Sequence, residues 1–514
     1  MRIKRRRFDS YPGSSSDPCD GGREGPVSDQ APTTVIVLAA GGGTRMRSKT
    51  MKVLHPLAGR TLLGHALHAA RGISPDHVVA VIGNQREQVA EHLAQVDPDV
   101  VQAVQEEQLG TGHAVAVGLA ALGDAGSGTA VVLYGDVPLL EPETLAAFVS
   151  DHRTGGRTLS VLTARVEQPA GYGRVLRAAD GSVTAIVEER DATDEQRAVD
   201  EINSGILAFD LAWAQEALRT IGNDNAQGEY YLTDLVGVAV SEGRSVGAFQ
   251  IEDALQTEGV NTRVQLARLA TEANRRIVER HMLAGVTVVD PATTWIDADV
   301  SIGADTTVLP GTQILGATSI GEDAVIGPDS TLLDMEVGDG ASVVRTHASL
   351  SVVEAGASTG PFTYLRPGTT VGPGGKLGAF VEAKNTRLGA GAKVPHLSYV
   401  GDGDIGEGAN VGAGTIFANY DGVNKNRTRI GAHARTSSNN TFVAPVTVGD
   451  GAFTGAGATI REDVPPGALA VSAGSQRTME GWVARKRPGT PSAEAASRAL
   501  AEHESDDDVQ ETTP

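Results

Sequence analysis

Ile302-Gly-Ala-Asp-Thr-Thr-Val308-Leu-Pro-Gly-Thr-Gln-Ile314-Leu-Gly-Ala-Thr-Ser-Ile320-Gly-Glu-Asp-Ala-Val-Ile326-Gly-Pro-Asp-Ser-Thr-Leu332 sets an aliphatic residue at every sixth position. The same step recurs at Leu365, Val371 and Leu377, at Leu388, Val394 and Val400, and at Ile405, Val411 and Phe417. A last run reads Ile430, Thr436, Phe442, Val448, Thr454 and Ile460. Glycine often follows the aliphatic, as in Ile302-Gly303, Ile320-Gly321 and Val448-Gly449. One inward aliphatic and one small corner residue per hexad predict a parallel β-helix, each step a short strand plus a corner and three steps a coil. A narrow interior of stacked Val, Ile and Leu excludes most rings. That accounts for the composition: 63 of 514 residues are glycine and only 4% are aromatic, against a usual glycine share of about 7%.

There is no Gly-X-Y period, which excludes collagen, and no apolar stretch long enough for a membrane span. The single cysteine, Cys19, excludes an internal disulfide framework or a cysteine-rich zinc module and fits a reducing cytoplasm. A net charge of -21 argues against a general nucleic-acid surface.

Upstream of the hexads the pattern differs. Thr34-Val-Ile-Val-Leu-Ala-Ala40, His77-Val-Val-Ala-Val-Ile82 and Thr129-Ala-Val-Val-Leu-Tyr134 are short apolar runs, and Leu62 to Ala70 has helical spacing. Buried strands alternating with helices predict a mainly parallel sheet covered on both faces. Residues 262–284 read as one amphipathic linking helix. The ends lack periodicity. Met1-Arg-Ile-Lys-Arg-Arg-Arg7 opens a Ser-, Gly- and Pro-rich extension with no apolar signal core. From Pro488 the chain carries seven acids against Arg498 alone, a composition unable to bury enough apolar surface to order itself. The expected division is therefore an unstructured extension at 1–32, an α/β domain at 33–260, a linker helix at 261–285, the β-helix at 286–470, an arm at 471–487 and an unstructured acidic tail at 488–514.

Leu38-Ala-Ala-Gly41-Gly-Gly-Thr-Arg45-Met46 lies where the first strand ends and a helix is expected to begin. Glycines there let backbone N–H groups close on phosphate oxygens, with a helix N-terminus adding its dipole. The run matches neither GxxxxGK[ST] nor a dinucleotide GxGxxG, which disfavours a P-loop and an NAD site. Arg45 and Lys52 add the fixed positive charge that a triphosphate needs.

With Lys52-Val-Leu-His-Pro56, this segment resembles the sugar-phosphate nucleotidyltransferase signature. Gln105-Glu-Glu-Gln-Leu-Gly-Thr-Gly-His113, Tyr134-Gly-Asp136-Val-Pro-Leu139, Gly171-Tyr-Gly-Arg174, Val187-Glu188, Glu201-Ile-Asn203-Ser-Gly205, Asn225-Ala-Gln-Gly-Glu-Tyr-Tyr-Leu-Thr-Asp234 and Glu258-Gly-Val-Asn261 extend the likeness. Joined to a hexapeptide β-helix, the series resembles the family of bifunctional N-acetylglucosamine-1-phosphate uridyltransferase / glucosamine-1-phosphate N-acetyltransferases over about residues 33–485. The resemblance implies an α/β Rossmann-like nucleotidyltransferase domain followed by an all-β left-handed parallel β-helix. It also implies a homotrimer, a cytoplasmic location, Mg²⁺ as cofactor, and no nucleic-acid partner.

Carried over by position, Leu38, Ala39, Ala40, Gly41, Lys52, Tyr134, Gly173, Glu188 and Asn203 hold UDP-N-acetylglucosamine, with Tyr231 and Thr233 also near the sugar. Gln105 and the Gly110-Thr111 turn read the uracil edge, an amide being able both to donate and to accept. Asp136 and Asn261 hold Mg²⁺, a hard ion that takes oxygen ligands. N-acetylglucosamine-1-phosphate attacks the α-phosphorus of UTP, and pyrophosphate leaves toward Arg45, Lys52 and the glycine-rich loop. In the β-helix, the interruptions at Leu365-Arg366, Phe380-Val-Glu-Ala-Lys384, His396-Leu-Ser-Tyr399 and Asn419-Tyr420 carry the polar groups. Acetyl transfer from a thioester to a sugar amine needs a base near neutral pH, and His396 is the natural one. The resemblance implies that Arg366, Lys384, Tyr399 and Asn410, with Lys425, hold glucosamine-1-phosphate. It places acetyl-CoA on Ala413, Asn419, Tyr420, Ser438 and Ala456.

Three positions depart from the family pattern. Met51 stands where a proline usually precedes the lysine, Ala473 where many relatives carry an arginine thought to meet CoA phosphates, and Arg435-Thr-Ser-Ser-Asn439 replaces an aliphatic-Gly-Ser turn. Two other readings stand beside the bifunctional enzyme: a monofunctional sugar-1-phosphate nucleotidyltransferase with a regulatory β-helix, and a non-catalytic scaffold like exchange-factor subunits. The first requires loss of the His396 constellation and the second decay of the phosphate loop and metal ligands; both sets are intact.

Overall fold

A computed structural model describes residues 31–510 apart from 84, 85, 124, 125, 473 and 475. The basic N-terminal run, Cys19 and Ala473 lie outside the described residues. The chain forms two compact units, 1–273 and 274–514.

In the first unit, chain order is β1 (Thr33–Leu38), a small hairpin of β2 (Pro56–Leu57) and β3 (Arg60–Thr61), α1 (Leu62–Gly72), β4 (His77–Ile82), α2 (Arg86–Val96), β5 (Val101–Val104), α3 (Thr111–Ala120), β6 (Thr129–Tyr134) and α4 (Pro142–Thr154). Then follow β7 (Leu159–Arg165), β8 (Arg174–Arg177), β9 (Val183–Val187), α5 (Asp194–Arg197), β10 (Glu201–Asp210), α6 (Leu211–Ala217), α7 (Asp234–Ser241), β11 (Val246–Ile251) and α8 (Arg263–Leu283). The main sheet runs β11-β7-β10-β6-β1-β4-β5. Strand β1 is parallel to β4 and β6, but β10 enters antiparallel between β6 and β7, so the sheet is mixed. The alternation of β1 explains its two layers. Val35 and Val37 pack with α1, α2 and α4 on one face, while Ile36 packs with α3, α6 and α7 on the other. The early part of α8 buries Leu269 and Ala273 against Met46, Leu57, Leu62 and Val260.

The second unit is built of three parallel ladders, whose first strands are Thr287–Val288, Trp295–Ile296 and Ser301–Ile302. Ile302 pairs with Ile320, Val308 with Ile326 and Ile314 with Leu332, so each coil stacks on the next. Val308, Ile314, Ile326, Leu332, Val371, Val394, Val411, Phe442 and Val448 are all fully buried, as the hexad register predicts. The chain takes a longer path between the paired residues Ile405 and Ile430, because the segment 419–427 leaves the coil as a loop. Phe417 and Phe442 fill the interior at that level, their rings 5.5 Å apart and edge-on.

Beyond the β-helix lie α9 (Trp482–Lys486) and α10 (Pro491–Gln510). The acidic tail expected to lack structure from 488 is thus helical over most of its length. Proline at the first helical position and an alanine-rich run starting at Ala493 supply the local preference that the charge argument overlooked. The basic run Arg485-Lys-Arg487 forms the last turn and C-cap of α9, with the Arg487 guanidinium 5.4 Å from the Trp482 ring centre. Among the described residues, no helix is long and apolar enough to cross a membrane.

Candidate functional sites

The sheet order reverses direction at β1: the chain passes outward to β4 and β5, then returns to place β6 on the other side. Open α/β sheets bind ligands beyond the strand C-termini at such a point. There the structure opens a cavity of about 310 Å³ lined by Leu38, Ala39, Ala40, Gly41, Lys52, Gln105, Gly110, Thr111, Tyr134 and Asp136. Gln108 and Glu229, which sequence reasoning missed, line it too. Gln108 ties the wall together by donating to the Ala40 carbonyl at 2.6 Å.

The glycine-rich loop differs from expectation. It leads not into an α-helix but into a single 3-10 turn, Thr44–Met46, closed by Arg47 in the left-handed region at φ 49. The first α-helix begins only at Leu62. No long helix dipole points at the loop; what it offers an anion is backbone N–H groups and the charged side chains beside it. Met51 has φ -55, a value proline also adopts, and its N–H donates to Gln88 Oε1 at 3.4 Å. The loop order that a proline would give is met instead by burial of Met51 and this contact.

At the mouth, the Lys52 ammonium forms a salt bridge with Asp136 and lies 3.2 Å from Asn261 Oδ1, which also accepts from Arg45 at 2.9 Å. Two oxygen donors on separate segments thus converge on one cation position now held by an ammonium. Among the described residues no cluster of three His, Cys, Asp or Glu could form a full cage. Two protein oxygens fit Mg²⁺, which keeps waters and takes phosphate oxygens rather than an all-protein shell.

The Gly110-Thr111 turn is pinned from behind. Tyr230 N–H donates to Leu109 O and Gly112 N–H to Tyr230 O, both at 2.8 Å. Gly110 has φ 111, and a Cβ there would sit 2.6 Å from Tyr230 O, so no other residue fits. Glu188, Tyr231 and Thr233 lie apart, in a second cavity of about 380 Å³ with Asp191 and Asp234. Thr233 donates to Glu188 at 3.2 Å, and Asn203 N–H donates to Gly173 O at 2.8 Å. Burial pushes the Glu188 carboxyl above its usual range. Burial, with Glu188 and Asp136 adding to it, likewise raises the Tyr134 phenol and keeps it protonated.

In the β-helix, one corner carries a continuous ladder. Gly414 N–H donates to His396 O, Asn439 N–H to Ala413 O and Gly457 N–H to Ser438 O. His396, Ala413, Ser438 and Ala456 therefore occupy equivalent places in successive coils. Each is followed by a residue in the left-handed region: Leu397, Gly414, Asn439 and Gly457. Asn439 tolerates that conformation, so the Arg435–Asn439 departure keeps the turn. The His396 imidazole is exposed and has no hydrogen-bond partner among the described residues.

A cationic cluster forms on the next ladder. Arg366 pairs with Glu382 at 2.9 Å, which raises the guanidinium further. The neighbouring Lys425 ammonium lowers the Lys384 amine, so the two lysines face one another. Asn419 Nδ2 donates to Asp402 Oδ2 at 2.5 Å and Asn385 Nδ2 to Asp402 Oδ1 at 2.6 Å. Asp402, buried and left-handed at φ 52, thereby anchors the root of the loop bearing Tyr420 and Lys425. Its only sequence signal was an acid at a shortened step. Asn410 joins the His396 side through its backbone bridges to Lys393 and Arg435.

Residues 35–199 match the family described as MobA-like NTP transferase domain. The chain is 57% identical over 474 residues to "Bifunctional protein GlmU" of Mycobacterium sp. (strain KMS), covering 91% of this chain and 95% of that relative. Its likeness to the proteins of the same name from Mycobacterium bovis and Mycobacterium tuberculosis is 56% over 471 residues, with the same shares covered.

Proposed function

Because the chain belongs to the family of bifunctional GlmU proteins, we propose that its two units carry out successive steps toward UDP-N-acetylglucosamine, a cell-wall precursor. The β-helix transfers acetyl from acetyl-CoA to glucosamine-1-phosphate. The α/β unit transfers UMP from UTP to N-acetylglucosamine-1-phosphate and releases pyrophosphate. The observation that carries this reading is the convergence of Lys52, Asp136, Asn261 and Arg45 at the carboxyl ends of β1 and β6, joined to a second, separate cation cluster in the β-helix.

In the acetyl step, Arg366, Lys384, Lys425 and Tyr399 grip the sugar phosphate. His396 takes the proton from the amine as it attacks the thioester carbonyl, and the thiolate of CoA leaves. The stacked corner from Ala413 through Ser438 to Ala456 is the groove along which acetyl-CoA lies. In the uridyl step, Gln105 and Gly110 fix the base while Gly173, Glu188 and Asn203 fix the sugar. Lys52 and Arg45 draw the departing pyrophosphate toward the Gly41 loop. Asp136 and Asn261 would hold Mg²⁺, which supplies charge neutralisation on the phosphates when bound.

A homotrimer fits an apolar strip beside His396. Phe362 and Phe380 stack at 5.3 Å and 9°, and with Leu397 they are more than half exposed. Water-facing rings at left-handed corners are costly unless a second copy covers them. A cytoplasmic setting suits a chain that consumes UTP and a thioester.

The test supplies glucosamine-1-phosphate, acetyl-CoA, UTP and Mg²⁺ and follows UDP-N-acetylglucosamine. His396→Ala abolishes acetyl transfer yet leaves uridyl transfer from N-acetylglucosamine-1-phosphate. Asp136→Ala removes magnesium-dependent pyrophosphate release and spares the acetyl step. Loss of both activities in either variant contradicts the two-site reading.

A further inference from the structure

The side-chain amide of Gln105 is held from one side only. Its Nε2 lies 3.2 Å from the Gly110 carbonyl oxygen and 3.0 Å from His113 Nδ1. A carbonyl oxygen only accepts, so Gly110 establishes which end of the amide is the nitrogen. The second N–H then needs a lone pair, which the His113 ring offers at Nδ1 when its proton sits on Nε2. Gln105 is only 4% exposed and lines the cavity, and its Oε1 has no partner among the described residues. His113 is the third residue of α3, and that helix starts at the turn pinned to Tyr230. The ring is thus carried on a rigid element.

Resting on the reading of Gln105 and Gly110 as the base-contacting pair, we infer that His113 is a positioning residue for nucleotide choice: its Nδ1 lone pair locks Gln105 with Oε1 toward the base. Uracil offers N3–H as donor and O4 as acceptor. Cytosine reverses both, with a bare N3 and an amino group. An amide locked with its oxygen forward accepts from uracil N3–H and opposes cytosine N3 lone pair to lone pair. The Gly110 N–H, which has no partner among the described backbone hydrogen bonds, is the matching donor for uracil O4. A glutamine free to rotate by half a turn would serve either base. Discrimination therefore depends on what stops the rotation, and among the described residues only Gly110 O and His113 Nδ1 do so.

The experiment measures kcat/KM for UTP and for CTP with N-acetylglucosamine-1-phosphate, in the full chain with Mg²⁺. His113→Leu and His113→Ala narrow the UTP preference by about three- to tenfold, the worth of one hydrogen bond. The change lies in the KM for UTP, with kcat little altered. His113→Asn, whose Oδ1 can stand where Nδ1 stood, restores the preference; a merely structural histidine would not be rescued in this way. Folded Leu and Ala variants with an unchanged UTP:CTP ratio overturn the inference, as does equal narrowing in the Asn variant. Gln105→Leu separates the two levels. If it collapses the ratio while His113→Leu does not, only the role of His113 falls. If it leaves the ratio unchanged, the reading of Gln105 falls and the inference with it.

Discussion

Gly401 ends the strand Tyr399–Gly401, and Ala in its place tests the phosphate grip directly. A Cβ there would meet the Tyr399 phenol oxygen and lie 2.7 Å from Asn419 Nδ2. The phenol is a side-chain end that can swing aside and let the coil survive, but Asn419 Nδ2 is buried and donates to Asp402, so moving it strains a buried hydrogen bond to a carboxylate, worth about 1.5–3 kcal/mol. Removing a glycine also lowers the entropy of the unfolded chain by about 0.4–1 kcal/mol, which offsets part of the crowding. Net stability should therefore fall by about 1–2 kcal/mol. Function should change more. A hydrogen bond to a charged group is worth about 1.5–3 kcal/mol, so displacing the phenol raises the KM for glucosamine-1-phosphate by about 10- to 100-fold. The assay is acetyl transfer at saturating acetyl-CoA, with uridyl transfer as the internal control. A KM within twofold of the parent, with the phenol displaced, would refute the placement of Tyr399 on the sugar phosphate. A collapse of the β-helix would refute the claim that only side-chain ends move.

Phe442→Ala empties an interior site against Phe417 and should cost about 3–5 kcal/mol, whereas Phe442→Leu should cost less than about 1.5 kcal/mol; thermal unfolding of the β-helix measures both. His152 is held down to about 4, first by burial and then by Arg157 and Arg153. Its imidazole is neutral in the fold and protonates more readily once unfolded, so stability is present above about pH 6.5 and is lost as pH falls toward 4. His152→Gln should remove about 2 kcal/mol of that acid sensitivity, read as the difference between denaturation curves at pH 7 and pH 4.5. Equal losses in parent and variant would place the sensitivity elsewhere.

The β-helix was legible because one buried aliphatic per step leaves a mark that survives almost any choice at the corners. The mark fails where a step is one residue short, between Leu332 and Val337, Ala383 and Leu388, or Val400 and Ile405. There Asp334, Asn385 and Asp402 turn the corner in the left-handed region, and hexad counting loses its place until the next run. In the α/β unit, β1, β4 and β6 coincide closely with the apolar runs. The antiparallel entry of β10 was hidden, because a fully buried strand reads the same in either direction. The helix expected after Gly41-Gly42-Gly43 was a reasonable consequence of strand-then-glycine, yet Arg47 in the left-handed region halts it after one turn. The cavity residues around Gln105 and Asp136 followed from motifs. The groups that brace them, His113 against the Gln105 amide and Gln108 on the Ala40 carbonyl, did not, since a side-chain hydrogen bond leaves no periodic trace. Asp402 was invisible for the same reason.

The corner ladder from His396 to Ala456 also sets a length. Successive coils of a parallel sheet are about 4.8 Å apart, so the three intervals span about 14 Å. That span is a count of coils, not the outcome of any single contact, and it behaves as a ruler graduated in whole turns. Point substitutions along it can alter grip but not reach. Deleting one complete coil would keep the remaining buried aliphatics stacked and shorten the ladder by one graduation.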